Sequence, residues 1–275
     1  MLNIINRYCH GYTALSAVAV LNKAGFFNYL ASNDGVDIET INTKFNANKG
    51  QLLVSLRLLQ SISWINLDAS GLYRKGDEFQ FVSLVTEDVW PIYDLDSHSV
   101  LYDNSLAPLL HSCVARSVNS WGIQDQWVAD FLDGTYMLPL LLGIRDHAGY
   151  FKQEKRIDKQ NIATPIWASL TQLFSNKQWS TKSNDNSIYL SDPGAYLIDR
   201  MFIAGTVYSY APMHRNMGEL LLGDAASVFE RNDEGHEGHV DRTLNVVASG
   251  FQHEKYFKDD IRKISVKNSK LFQMT

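Results

Sequence analysis

Gln51-Leu52-Leu53-Val54-Ser55-Leu56-Arg57-Leu58-Leu59-Gln60-Ser61-Ile62 is followed by Trp64-Ile65-Asn66-Leu67, a polar turn at Asp68–Gly71, and Leu72-Tyr73-Arg74. The first part reads as a helix, with Leu52, Leu53, Leu56, Leu58 and Leu59 on one broad face and Asn48 as its cap. The remainder reads as a short hairpin. Upstream, Asp37 is placed to cap a short helix through Phe45, with Glu39 near its positive end. Further back, Ala14, Leu15, Val18, Leu21 and Ala24 follow a helical period within Tyr12–Leu30, and Gly25 loosens its end. Three helices and then a hairpin is the order of a winged helix-turn-helix unit, here Tyr12–Val85.

The same order returns more weakly downstream. Met137–His147 is apolar and periodic, and it ends in His147-Ala148-Gly149-Tyr150-Phe151, an echo of Lys23-Ala24-Gly25-Phe26-Phe27. Ile166–Phe174 reads as a later helix, and Ser187-Ile188-Tyr189-Leu190 follows a polar turn at Lys182–Asn186, as in a degenerate second winged-helix-like unit. Val100–Leu132 reads as helical, with Pro108 near its first turn and Gly122 as an interruption. From Pro193 onward the candidate helices are Ala195–Thr206, Met213–Leu222, Asp241–Ser249 and Glu254–Ile264, ahead of a polar tail, Ser265–Thr275. The expected fold class is therefore mainly α with small β hairpins. Residues 1–98 would form a winged-helix-like amino-terminal domain, 99–192 a helical region holding the second unit, and 193–275 a helical lid or connector.

Composition narrows the function classes. The chain has 275 residues, 45% of them hydrophobic, and a net charge of −5, so it can bury a core but is a poor general nucleic-acid binder. Two cysteines, Cys9 and Cys113, are too few for a disulfide framework or a zinc cluster and are expected as buried thiols. Asn3, Asn6 and Arg7 stand where a secretory signal would need apolar residues, and the longest apolar stretch, Met137–Leu142, is far short of the ~20 residues of a membrane span. The expectation is a soluble cytoplasmic protein without nucleic-acid or membrane partners.

Several short constellations compete with simpler readings. The helix that would enter a DNA groove, Asn48–Ile62, offers only Lys49 and Arg57 as cations, which favours packing or dimerisation over DNA reading. His236-Glu237-Gly238-His239 lacks the spacing of zinc peptidases and has no third ligand fixed by spacing, so a polar interhelical loop is the simpler reading and no metal ligand is assigned. Arg242, Asn245 and Ser249 recur at helical intervals, opposite Leu244, Val247 and Ala248. Such a helix could present Arg and Asn to an anion, with His253 available for proton transfer. Tyr208-Ser209-Tyr210-Ala211-Pro212-Met213-His214-Arg215 either lines a pocket or supplies interface aromatics. No G-x-G, P-loop or G-x-S-x-G occurs, nor does a βαβ alternation, so no Rossmann core and no complete catalytic constellation is legible.

The chain resembles the amino-terminal portion of the C-methyltransferase that opens the loading modules of apratoxin- and saxitoxin-type polyketide synthases. The matching runs include Ile5-Asn6-Arg7-Tyr8 with His10-Gly11, Ala129-Asp130-Phe131-Leu132-Asp133-Gly134 with Pro139-Leu140-Leu141-Leu142, and Ser209-Tyr210-Ala211-Pro212-Met213. The clearest run continues from there through Ser227-Val228-Phe229, Gly235-His236-Glu237, His239-Val240-Asp241-Arg242-Thr243-Leu244-Asn245-Val246-Val247 and Ser249-Gly250-Phe251-Gln252-His253, extended by Tyr256-Phe257 and Asp259. The resemblance implies a helical region with a lid ahead of a methyltransferase core. That core would bind S-adenosylmethionine and a mononuclear metal, iron in the apratoxin type, and methylate malonyl groups on an acyl carrier protein.

On this resemblance Thr275 falls just before the core would begin, so the chain would cover and shape the active site without being catalytic alone. Its partners would be the core and the carrier protein, with a homodimer as a further expectation. The resemblance carries Arg242 and Asn245 toward the cofactor, and Tyr210, Gln252 and His253 toward the substrate. The rivals from other classes are a winged-helix transcription regulator and a dimerisation module.

Overall fold

Two long helices, α1 (Leu2–Lys23) and α7 (Gln126–Asp146), cross at the centre of the chain. The structure is a computed structural model that describes residues 2–85, 90–97, 99–160 and 162–253. Both helices are buried on nearly every side, as expected of core helices rather than amphipathic surface ones. By length and composition α7 could cross a membrane, but 94% of its apolar window is buried inside the fold. The crossing is made close by two glycines. A Cβ on Gly11 would stand 1.7 Å from the Phe131 carbonyl oxygen, and one on Gly134 would stand 2.3 Å from that of Tyr8. Beside them Arg7 reaches Asp130 at 2.9 Å.

The first helix therefore begins ten residues before the expected Tyr12. Asn3, Asn6, Arg7 and His10 mask the period there, but Ile5, Tyr8 and Cys9 are buried against the fold. It ends at Ala24-Gly25, where Gly25 takes φ +79, and α2 (Phe26–Ala31) continues separately. Then come α3 (Ile38–Phe45), α4 (Lys49–Ser61) and the hairpin of β1 (Ile65–Leu67) and β2 (Tyr73–Lys75), with Val36 bridged to Tyr73. Asp37 caps α3 by accepting the Thr40 amide at 2.9 Å. Asn48 precedes α4 but does not cap it with its side chain. Its Nδ2 instead donates to the carbonyls of Leu220 and Gly223, each at 3.0 Å, and so satisfies the end of a distant helix. The leucines Leu52, Leu56 and Leu59 are core residues of this unit.

The segment α5 (Trp90–Tyr93) and α6 (Ala107–Val118) lead to α7; Pro108 lies in the first turn of α6, and Gly122 falls in the break before α7. After α7 the chain forms β3 (Gly149–Phe151) and β4 (Arg156–Asp158), then α8 (Thr164–Asn176), then β5 (Ser180–Ser183) and β6 (Ser187–Leu190). The four strands make one antiparallel sheet in the order β3-β4-β6-β5, so the second unit is a helix, a hairpin, a helix and a wing. The β3–β4 hairpin has no counterpart in the sequence reading. Three-residue strands show no alternation, and Ile157 is the fully buried residue of β4.

The remainder is helical: α9 (Asp192–Arg200), α10 (Phe202–Tyr208), α11 (Ala211–Arg215), α12 (Met217–Leu222), α13 (Ala225–Val228) and α14 (242–253). The expected helix Glu254–Ile264, the run through Asp259 and the tail Ser265–Thr275 lie outside the described residues. Both cysteines are buried and outside any disulfide, and burial pushes the Cys9 thiol up to about 12.

Candidate functional site

The residues singled out for ligand contact gather around α14 and the turn between α10 and α11. Ser209, fully buried, receives α14 at two points. Its carbonyl accepts the Asp241 amide at 2.7 Å, and its Oγ accepts Asn245 Nδ2 at 2.9 Å. At the other end, Gln252 Nε2 donates to the Ile203 carbonyl at 2.7 Å and to Thr206 Oγ1 at 3.0 Å. Between these points Gly205 faces Ala248 so closely that an added Cβ would meet its methyl at 2.7 Å. Phe251 tilts against Phe202 with ring centroids 5.7 Å apart. Asn245 and Gln252 thus use amide hydrogens to fasten α14 onto α10.

Arg242 stands at the start of the helix. Its guanidinium hydrogen-bonds to Glu237 through Nε at 2.9 Å and also through Nη2, and this pairing holds the Glu237 carboxyl below its usual range. Arg231 Nη2 approaches the same carboxylate at 3.5 Å. The tyrosine of the next segment, Tyr210, lies 6.3 Å from the His239 ring, which also meets Phe229 at 5.0 Å. His239 Nδ1 is buried with no hydrogen-bond partner among the described residues. His236 is exposed in the loop, 3.5 Å from Glu234. No group of three or more His, Cys, Asp or Glu side chains converges on a common point among the described residues.

Arg242, Tyr210 and Asn245 are therefore neighbours, whereas Gln252 and the exposed His253 lie at the far end of α14, about 15 Å along its axis. The expected division of this helix into faces is also revised. Asn245 points toward the body, while Val246 and Val247 are 62% and 52% exposed. Tertiary hydrogen bonds to Ser209 and to α10 set the rotation of the helix, and these are invisible to a periodicity count. Two adjacent valines therefore stand exposed on the outer side of this helix among the described residues.

The stretch Tyr208–Arg215 resolves into core and rim. Tyr208 donates to the Leu95 carbonyl at 2.5 Å, Tyr93 donates to that of Tyr12 at 2.7 Å, and His214 Nδ1 meets Ser16 Oγ at 2.9 Å. These rings pack edge to face and tilted around Tyr12. Ser16 and His214 are sealed from solvent, so the pair is structural rather than nucleophilic. Nothing in a linear reading brings Ser16 to a residue 198 positions away.

Burial lowers the His214 pKa from 6.5 to about 4. An unfolded chain binds a proton in that interval that the folded one refuses. The stability contributed is therefore complete above pH 6.5 and is lost as the pH falls toward 4, by about 3 kcal/mol. Urea unfolding of the protein and of His214→Gln at pH 7 and pH 4.5 measures this directly. The variant is expected to show the shallower acid loss, and equal losses would remove His214 as the cause.

Two family models match the chain. The AprA N-terminal domain matches residues 1–67, which contain α1 to α4 and β1. The AprA winged helix domain matches residues 133–224, from the middle of α7 through the four-stranded sheet and α8 to α12. Among curated proteins none matches the chain. The winged-helix match falls on the unit with the helix–hairpin–helix–wing order, where the sequence reading sees the weaker repeat.

Proposed function

We propose that this chain, which matches the AprA N-terminal domain and then the AprA winged helix domain, forms the lid-bearing part of an S-adenosylmethionine-dependent C-methyltransferase. Its substrate class is a malonyl-type acyl group on an acyl carrier protein, and its partners are the methyltransferase core and that carrier. The single observation that carries the reading is the order of the two matched domains, followed by a helix on which Val246 and Val247 stand exposed among the described residues. In this reading the core covers Val246 and Val247, and α14 closes one side of the active site and excludes water from it.

Arg242 is the group suited to an anionic ligand here, because Glu237 orients its guanidinium while the side chain stays 55% exposed. Tyr210 adds a hydroxyl on the substrate side beside Arg242, His253 would meet the substrate only at the far end of α14, and Asn245 and Gln252 act by holding α14 in place. The donor set among the described residues does not fit a mononuclear metal. No metal ligand is proposed among the described residues, and in this reading the methyl donor is held by the core.

The test has two arms. Isothermal titration of the 275-residue chain with S-adenosylmethionine is expected to show no strong binding, and tight binding refutes the division of labour. In an enzyme joining the chain to its core, Val246→Glu with Val247→Glu is expected to lower methyl transfer to malonyl-carrier protein roughly tenfold, by charging a covered face. Unchanged transfer refutes the proposed docking.

A further inference from the structure

Away from α14, a pocket of about 520 Å³ opens where the end of α1 meets α11 and α12. Its apolar part is Val20, Ala24 and Leu222, and its charged part is Lys23, Arg215 and Glu219. Arg215 is held in place rather than left to swing. Its Nε donates to the Tyr93 carbonyl at 2.7 Å and Nη2 reaches the Asp94 carbonyl at 3.5 Å, which leaves Nη1 without a hydrogen bond among the described residues. Two carboxylates are close. Asp94, which does not line the pocket, approaches Nε at 3.8 Å, and Glu219 turns its Oε2 to the Asp224 amide at 3.1 Å.

Gly218 forms part of the wall. It is the second residue of α12. A Cβ there would meet nothing within 4 Å. Close packing therefore does not account for glycine at this position, and the consequence of the missing side chain is an open wall.

We propose that this pocket is a binding site for a small carboxylate with a short alkyl chain. The anionic end would pair with Arg215, and the chain would lie on Val20, Ala24 and Leu222. The volume lies within the range of small-molecule sites, and the mixture of an apolar floor with a few placed polar groups is their usual composition. A planar guanidinium fixed at one nitrogen and open at another suits a carboxylate better than a flexible ammonium does. This goes beyond the methyltransferase reading and does not depend on it, since the site belongs to the chain alone.

The probe is sodium hexanoate, titrated into the isolated chain and followed by backbone amide NMR, with hexanol and acetate as controls. Hexanoate is expected to bind saturably, with shifts at α1 and α12, and at least roughly tenfold more tightly than either control. Gly218→Leu fills the opening with no neighbour within 4 Å of its Cβ, so it is expected to abolish binding while the melting temperature holds. Arg215→Gln is expected to bring hexanoate down to the affinity of hexanol. No saturable hexanoate binding, or binding that survives Gly218→Leu unchanged, overturns the site. Either result leaves the methyltransferase proposal where it stands.

Discussion

Replacing Lys177 by Met is expected to cost the protein about 3–5 kcal/mol, because it strands the carboxylate of Asp133 in the core without a counter-charge. Asp133 is completely buried, and Lys177, at the end of α8, is 12% exposed and bonds to its Oδ2 at 2.9 Å. Ser117 of α6 donates to the same oxygen at 2.7 Å, and the Trp121 indole donates to the other at 2.9 Å. One carboxylate thus ties together α6, the turn after it, α7 and α8. Burial raises the Asp133 pKa, while Lys177, Trp121 and Ser117 act in the opposite direction. Removing Lys177 leaves burial less opposed, so protonation becomes the means of relief.

The deficit of Lys177→Met is therefore expected to be largest at pH 8 and to shrink on acidification toward pH 5, as measured by urea unfolding at each pH. The double variant Asp133→Asn, Lys177→Met should recover much of the loss, since it removes the stranded charge as well as its partner. A single variant as stable as the parent at pH 8 would show that the pair does not anchor α8.

The second large effect is expected at the helix crossing. Gly11→Ala should destabilise by about 3 kcal/mol, against the general tendency of Gly→Ala to stabilise helices. The added methyl would lie inside the Phe131 carbonyl, and backbone cannot turn aside as a side chain can. Gly134→Ala acts from the other helix on the Tyr8 carbonyl, and separating the helices once relieves both contacts. The two losses are therefore expected to be less than additive. Gly50→Ala in α4 is the matched control, because a Cβ there meets nothing within 4 Å. It should be neutral or slightly stabilising in the same thermal melts. If Gly11→Ala behaves like Gly50→Ala, α1 and α7 do not cross as closely as described.

Elements with a local signal were legible in advance. The leucine face of α4, the Asp37 cap on α3, the Asp68–Gly71 turn and the wing of β5 and β6 each depend on neighbours within a few residues. Where the partner is remote, local reading missed it or gave another role. Asn48 looked like the cap of its own helix and serves the end of α12 instead, some 172 positions away. The β3–β4 hairpin was missed because three-residue strands carry no pattern, and they are recognised by their pairing with β6.

The candidate site divides in the same way. Residue type alone marks Arg242, Asn245, Tyr210, Gln252 and His253 as chemical groups, but which of the four on α14 face outward depends on how that helix is rotated. Two hydrogen bonds to Ser209 and two from Gln252 set that rotation, turning Asn245 inward and the valines outward. The buried Ser16–His214 contact and the Asp133–Lys177 pair arise the same way, from side chains that no spacing rule connects.

Helix type, the winged-helix order and the family resemblance reside in the residue order, because propensity, capping and periodicity act over one or two turns. The crossing of α1 and α7, the facing of α14 and the opening beside Gly218 depend on how those pieces meet. Close packing and the requirement that buried polar groups find partners select one such arrangement, and both act between residues far apart in the chain.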